Sequence, residues 1–393
     1  MLLAILAILF VALNLRIPTT ALGPLLPSIQ ADTNSGETFV SLLTTIPLAL
    51  TLVIAPFAPR LATRFGIHRV IALALVGIIA GTLIRSIPGT PTLFAGTVLL
   101  GCAIALGTVL GPAAIAGERL ERRGTLTGVY TMALSLGPAM ALGLTVPMMT
   151  TTGSDWRQTL ALWSLCGVIA LVLWIAYTRS ANRHSKATAP TSLVPTPSID
   201  SGLKSTLKDL RVWALAAYLG ITSLTFYTTS AWLPTLFIID DLPAGAAGGY
   251  ASLLNILALP FALFTPTAMR RGWAHILAPA SPVVAIAGVS LLLTMGSDGA
   301  LPVVILLGIS QGLCLGVSYD QVVQYAKSPE HAASVSAVTS TIGLAISSTG
   351  PLAFGFGLEL SGAVIPVIGL GIILAFQSIV GVRSGRFIQT PTW

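Results

Sequence analysis

LNLRIPTTALGPLLPSI, Leu13 to Ile29, decides how the chain is read, and within it Arg16. The guanidinium follows the uncharged run LLAILAILFVALNL and precedes about ten further apolar or small residues. A fixed charge at that depth of a membrane-length helix costs at least about 2.5 kcal/mol, so it should face protein or a water-filled cavity rather than lipid. No Asp or Glu lies inside the neighbouring predicted spans. The reading is therefore a binding site, against the plainer alternatives of snorkelling to an interface or pairing with a buried acid.

The rest of the 393-residue chain supplies a membrane setting. It is 54% hydrophobic and 8% charged, with a mean hydropathy of +0.89, whereas soluble domains are about 25% charged. Apolar runs long enough to cross a hydrocarbon core about 30 Å thick recur along the sequence. This is the composition of an all-α polytopic membrane protein. The first run lacks a basic n-region and an A-x-A site, so it is expected to stay in the mature protein rather than act as a cleaved signal. In this setting the net charge of +7 bears on topology, and no nucleic-acid partner is expected. Cys102, Cys166 and Cys314 stand singly in apolar runs, which indicates neither a disulfide framework nor a metal site. His68, His184, His275 and His331 are assigned to basic loops, which excludes a histidine proton relay in the membrane.

Twelve spans are predicted, near 2–26, 38–59, 69–86, 92–116, 124–149, 158–178, 211–238, 248–268, 275–295, 301–325, 333–358 and 362–382. With both termini inside, seventeen of twenty basic residues share one side, which the positive-inside rule makes cytoplasmic. Arg85 and Arg157 fall on the other side and read as snorkelling residues at the outer interface. The polar segment 179–210, rich in Ser, Thr, Pro and basic residues, reads as a cytoplasmic linker between six-span bundles at 1–178 and 211–393. Pro27 and Pro234 recur at an offset of 207, and Gly137-Pro138 and Gly350-Pro351 at 213. Similar offsets on either side of a linker favour two parallel repeats, the organisation of a transporter.

The loop APRLATRFGIHRV between the second and third spans resembles the G-x-x-x-D-R-x-G-R-R signature of the major facilitator superfamily, with Thr63 at the position of the acid. Within that superfamily, further segments resemble the cyanate and nitroimidazole transporter family. They are Asn14-Leu15-Arg16, Gly23-Pro24-Leu25-Leu26-Pro27, LLTTIP from Leu42 to Pro47, Leu83-Ile84-Arg85, Thr127 to Thr131, Val146-Pro147, Trp156-Arg157, Phe226-Tyr227 and Trp232-Leu233-Pro234. The match covers nearly the whole amino-terminal half and the seventh span. The resemblance implies a twelve-helix fold of two bundles around a central cavity, working by alternating access in a bacterial inner membrane. It also implies a small anionic or nitrogen-rich polar substrate. Thr108 stands where the family often has Asn and Thr222 where it often has Gln, so the resemblance carries over a substrate class rather than a substrate.

Arg16 offers a planar five-donor fork suited to a carboxylate, a linear anion or an electron-rich ring. In a helix Asn14 lies about 200° away from it, whereas Thr20 shares its face. Asn14 thus reads either as a ligand or as an interhelical hydrogen-bond partner. Tyr130, Phe226 and Tyr227 are aromatic candidates for a planar solute, with ordinary packing as the alternative. Trp232 reads as an interfacial belt residue. Gln311, beside Ser310, is a candidate to restore a lost amide. Asp320, in GVSYDQVVQYAK, is the candidate for proton coupling or gating, with a solvated helix end as the alternative; Glu359 reads as interfacial.

A secondary transporter of a small anionic or planar polar solute, acting as a monomer and possessing neither cofactor nor metal, is the leading expectation. A proton-coupled exporter of cationic drugs is the alternative of the same fold. It is opposed by the lone fixed cation and by the absence of acids from the first six predicted spans. No Walker motif and no catalytic His, Asp or Cys cluster supports an ATPase or an intramembrane enzyme.

Overall fold

A computed structural model describes residues 1–118, 120–184, 206–326 and 329–389. Every regular element among them is helical. The helices are α1 Leu2–Asn14, α2 Leu26–Thr33, α3 Glu37–Ile54, α4 Ala58–Phe65, α5 Ile67–Arg85, α6 Thr90–Ala116, α7 Leu120–Thr152 and α8 Trp156–His184. They continue as α9 Leu210–Ile239, α10 Ala244–Ala268, α11 Ala274–Met295, α12 Ala300–Tyr325, α13 Pro329–Ser361 and α14 Val364–Gln389. By length and composition, nine segments of the described residues can cross a membrane. One of them, Ala244–Tyr325, carries α10, α11 and α12 in a single apolar stretch, and α9 is not among the nine. Of the expected linker, residues 179–184 prolong α8, while 185–205 lie outside the described residues.

Packing divides the chain into two compact units, Met1–Asn34 with Ile46–Pro195, and Ser35–Thr45 with Thr196–Trp393. In the first unit α5 packs along α6, and α1 packs on α7 and α8. Glycines set the closest approaches. A Cβ on Gly137 of α7 would stand 3.2 Å from Arg16 Cβ and 3.3 Å from the Leu13 carbonyl oxygen, so α7 runs directly against the place where the first span changes direction. Arg157 pairs with Asp32 at 2.6 Å and stacks on Trp156.

In the second unit α9 packs along α13, α10 along α12, and α11 along α14. Gly350 of α13 meets α9 as Gly137 meets the first span: a Cβ there would stand 2.7 Å from the Leu224 side chain and 3.2 Å from its carbonyl oxygen. Within this unit the Thr38 amide donates to Glu359 at 2.8 Å, which places an exposed carboxylate at the amino-terminal end of α3, where helix N–H groups lack partners.

Three expectations are corrected. Trp232 is fully buried rather than interfacial, its indole N–H donating to the Pro351 carbonyl at 3.0 Å. His68, His275 and His331 occupy first turns of helices, and His184 closes α8, rather than lying in loops; His68 packs its ring beside Trp174 and Tyr177. Arg85, expected to snorkel, is 1% exposed.

Candidate functional site

Prolines determine the shape of the first span. A proline removes one N–H and its ring clashes with the carbonyl four residues earlier. Pro18 therefore ends α1 at Asn14, and Pro24 ends the next single turn, Ile17–Thr20, at Thr20. A 3-10 turn, Gly23–Leu25, leads into α2, where Pro27 occupies the first turn. Arg16 sits at the first break, with φ −120° and ψ −43°. Its carbonyl is heavily used: it accepts the Thr20 amide at 3.1 Å and the hydroxyls of Thr19 and Thr20, each at 2.9 Å. Such hydroxyls re-satisfy backbone groups freed by a break. The Arg16 side chain is half-buried.

Asn14, the neighbouring candidate, is buried, and its amide donates to the carbonyls of Phe10 at 2.8 Å and Cys166 at 3.1 Å. It ties α1 to α8, which is the interhelical role left open by the sequence. Thr20 is buried, its hydroxyl turned back onto the helix. Thr108 is exposed on α6. Tyr130 is buried, and its ring lies over Gly111 of α6, where a Cβ would stand 2.9 Å from ring carbon Cε2.

In the second unit Thr222, Gln311 and Gln377 form one buried polar group. The Thr222 hydroxyl donates to the Tyr218 carbonyl at 2.9 Å and accepts from the Gln377 amide at 2.7 Å. The Gln311 amide reaches the Thr222 carbonyl at 3.5 Å, and Ser318 lies 3.3 Å from the Thr222 hydroxyl. Gln377 went unremarked in the sequence, although an isolated amide inside the apolar run IGLGIILAFQSIVG was a signal. It brings to Thr222 from α14 the amide that Thr222 itself lacks. Phe226 and Tyr227 are half-buried and pack edge to face with ring centroids 5.1 Å apart. Asp320 is half-exposed and accepts from Gln324 one turn onward.

A cavity of about 580 Å³ also opens in this unit, at the ends of α9, α11 and α14. Leu236, Asp240, Met295, Ser297 and Val364 are among its walls, and no residue singled out from the sequence as a binding candidate lines it.

Nine membrane-length segments among the described residues make this an integral, multi-pass membrane protein. The chain belongs to the Major Facilitator Superfamily, whose profile matches residues 4–351. It is 29% identical over 386 residues to the uncharacterized transporter YycB of Bacillus subtilis (strain 168), covering 96% of this chain and 92% of that one. It is 28% identical over 385 residues to the 2-nitroimidazole transporter of Escherichia coli (strain K12), covering 96% and 94% of the two chains. To the cyanate transport protein CynX of the same organism it is 27% identical over 270 residues, covering 68% and 67%. Among solved structures, a bacterial homologue of the lysosomal transporter Spinster, inward-facing and unoccupied, shares the fold with a TM-score of 0.78 at 17% identity, covering 99% of this chain and 98% of that one. The family and these relatives are transporters, not enzymes.

Proposed function

We propose that this protein is a secondary active transporter of a small anionic or nitrogen-rich polar solute, resembling cyanate or a nitroimidazole, with Arg16 as the principal polar contact. The observation that carries this reading is the guanidinium at a proline-made break in a membrane-length helix, its backbone held by Thr19 and Thr20. The names of two relatives support the substrate class. Cyanate is a linear anion and a nitroimidazole a flat ring bearing a nitro group. Both present electron-rich oxygen to a planar fork of N–H donors, and neither requires a second cation. The embedding membrane is a bacterial inner membrane with both termini cytoplasmic, as the charge asymmetry of the loops suggests.

The test is ligand protection. Purified protein is heated with cyanate and, separately, with 2-nitroimidazole, alongside Arg16→Lys and Arg16→Ala. Lysine keeps the charge but loses the fork, so its affinity should fall at least about tenfold, and alanine should abolish protection. Equal protection of wild type and Arg16→Ala by either solute would remove Arg16 from the site.

A further inference from the structure

Arg85 takes no part in the proposed binding site, yet it is the most thoroughly buried cation described here. Only 1% exposed, it closes α5 and donates through Nη2 to the Pro18 carbonyl at 2.6 Å. Its Nε and Nη1, equally buried, have no hydrogen-bond partner among the described residues. A guanidinium carries five N–H donors, so one acceptor is poor compensation for leaving water. Even buried ion pairs can often be replaced by apolar side chains of similar volume without loss of stability, and a lone buried charge has less compensation still. Buried polar groups left without partners are rare in native structures, and each calls for an explanation.

The acceptor points to that explanation. Pro18 lies two residues beyond Arg16, in the four-residue turn isolated between two proline breaks. That turn has no continuous helical ladder to hold its orientation, and it is the segment from which the Arg16 side chain takes its bearing. Packing on α6 holds the other end of Arg85 tightly: a Cβ on Gly96 would collide with the Arg85 backbone nitrogen and stand 2.8 Å from its Cβ.

We propose that Arg85 is a positioning residue for Arg16: its buried guanidinium grips the Pro18 carbonyl and so fixes the broken turn from which Arg16 projects. The proposal rests on the reading of Arg16 as the substrate-binding cation, and the test separates the two.

With Cys102, Cys166 and Cys314 changed to alanine, Arg16→Cys places a thiol whose reaction rate with 2-aminoethyl methanethiosulfonate reports how position 16 is presented, without any substrate. Arg85→Met should change that rate by about fivefold or more, the size expected for residues coupled through a shared backbone segment. Arg85→Lys and Arg85→Gln retain a donor for the Pro18 carbonyl and should restore it in part. Thr152→Cys, exposed at the end of α7, should react alike in all backgrounds. In the protein retaining Arg16, Arg85→Met should weaken 2-nitroimidazole protection about as much as Arg16→Lys does. An unchanged rate at position 16, with equal or higher thermal stability in Arg85→Met, would overturn the proposal by making Arg85 a passive buried charge. Should Arg85→Met not fold, the comparison of Arg85→Lys with Arg85→Gln decides: a rate that follows neither donor overturns it equally. A changed rate together with undiminished protection of Arg16→Ala would uphold the positioning role and refute Arg16 as the ligand.

Discussion

Asn14 and Arg16 stand two residues apart, yet their surroundings divide their roles. The Asn14 amide is spent on two backbone carbonyls, one of them on α8. Asn14→Ala should therefore act on stability, lowering it by about 1–3 kcal/mol through the loss of a buried donor, while affinity for 2-nitroimidazole stays within about twofold. Thermal unfolding and ligand protection measured on one preparation decide this; a loss of affinity at unchanged stability would make Asn14 a ligand. The partition was legible only in part. Helical geometry separates the two side chains, but the sequence does not show what stands opposite each. For Arg85 and Trp232 the same gap misled. Position along a span gives the depth of a side chain, and its direction is set by the neighbouring helix that accepts its hydrogen bond, Pro18 in one case and Pro351 in the other.

At the scale of elements, prolines were the most informative letters. The positions four residues before Pro18 and Pro24 are where α1 and the following turn end, although the sequence reading ran one span straight through from 2 to 26. The paired Gly-Pro steps suggested a repeat in the sequence, and both glycines are points of close helix contact. Gly137 and Gly350 each admit a neighbouring helix of their own unit, and Leu224 and Thr228 stand 211 and 212 residues after Leu13 and Arg16. Thr228 thus stands against Gly350 much as Arg16 stands against Gly137. Connections obey local chemistry as well. The Ser297 amide, followed by its hydroxyl, holds the Asp240 carboxyl below the usual carboxylate range. Because the folded value is the lower one, this contribution is complete at neutral pH and disappears as acid protonates the folded carboxylate. Between pH 5 and about pH 3 the melting temperature of wild type should fall more steeply than that of Asp240→Asn; parallel curves would remove Asp240 as a latch.

For the molecule as a whole, the open quantity is how much charge moves per cycle. The first six predicted spans carry no acid, and Asp320 is half-exposed with a glutamine partner. The expected outcome is movement of an anion without an obligatory proton. An inside-negative potential of 100 mV is worth about 2.3 kcal/mol per charge and drives a monovalent anion outward. In proteoliposomes under a potassium diffusion potential, cyanate flux should follow the voltage and be unchanged in Asp320→Asn. Flux that ignores voltage but follows a pH gradient would show that a proton accompanies the anion. Such an outcome, lost in Asp320→Asn while ligand protection is kept, would give this carboxylate the coupling role.

The break at Arg16 also bears on how the protein enters its membrane. Helix α1, 13 residues long, rises only about 20 Å, short of a hydrocarbon core about 30 Å thick. Completing the crossing carries Arg16 and the broken turn to membrane depth, where they need protein rather than lipid around them. When this segment leaves the ribosome, α5 with Arg85, α7 with Gly137 and α8 with Cys166 have not been made. Its leading helix is therefore expected to seat late in assembly, once those later helices supply the contacts that make a charged, interrupted span tolerable.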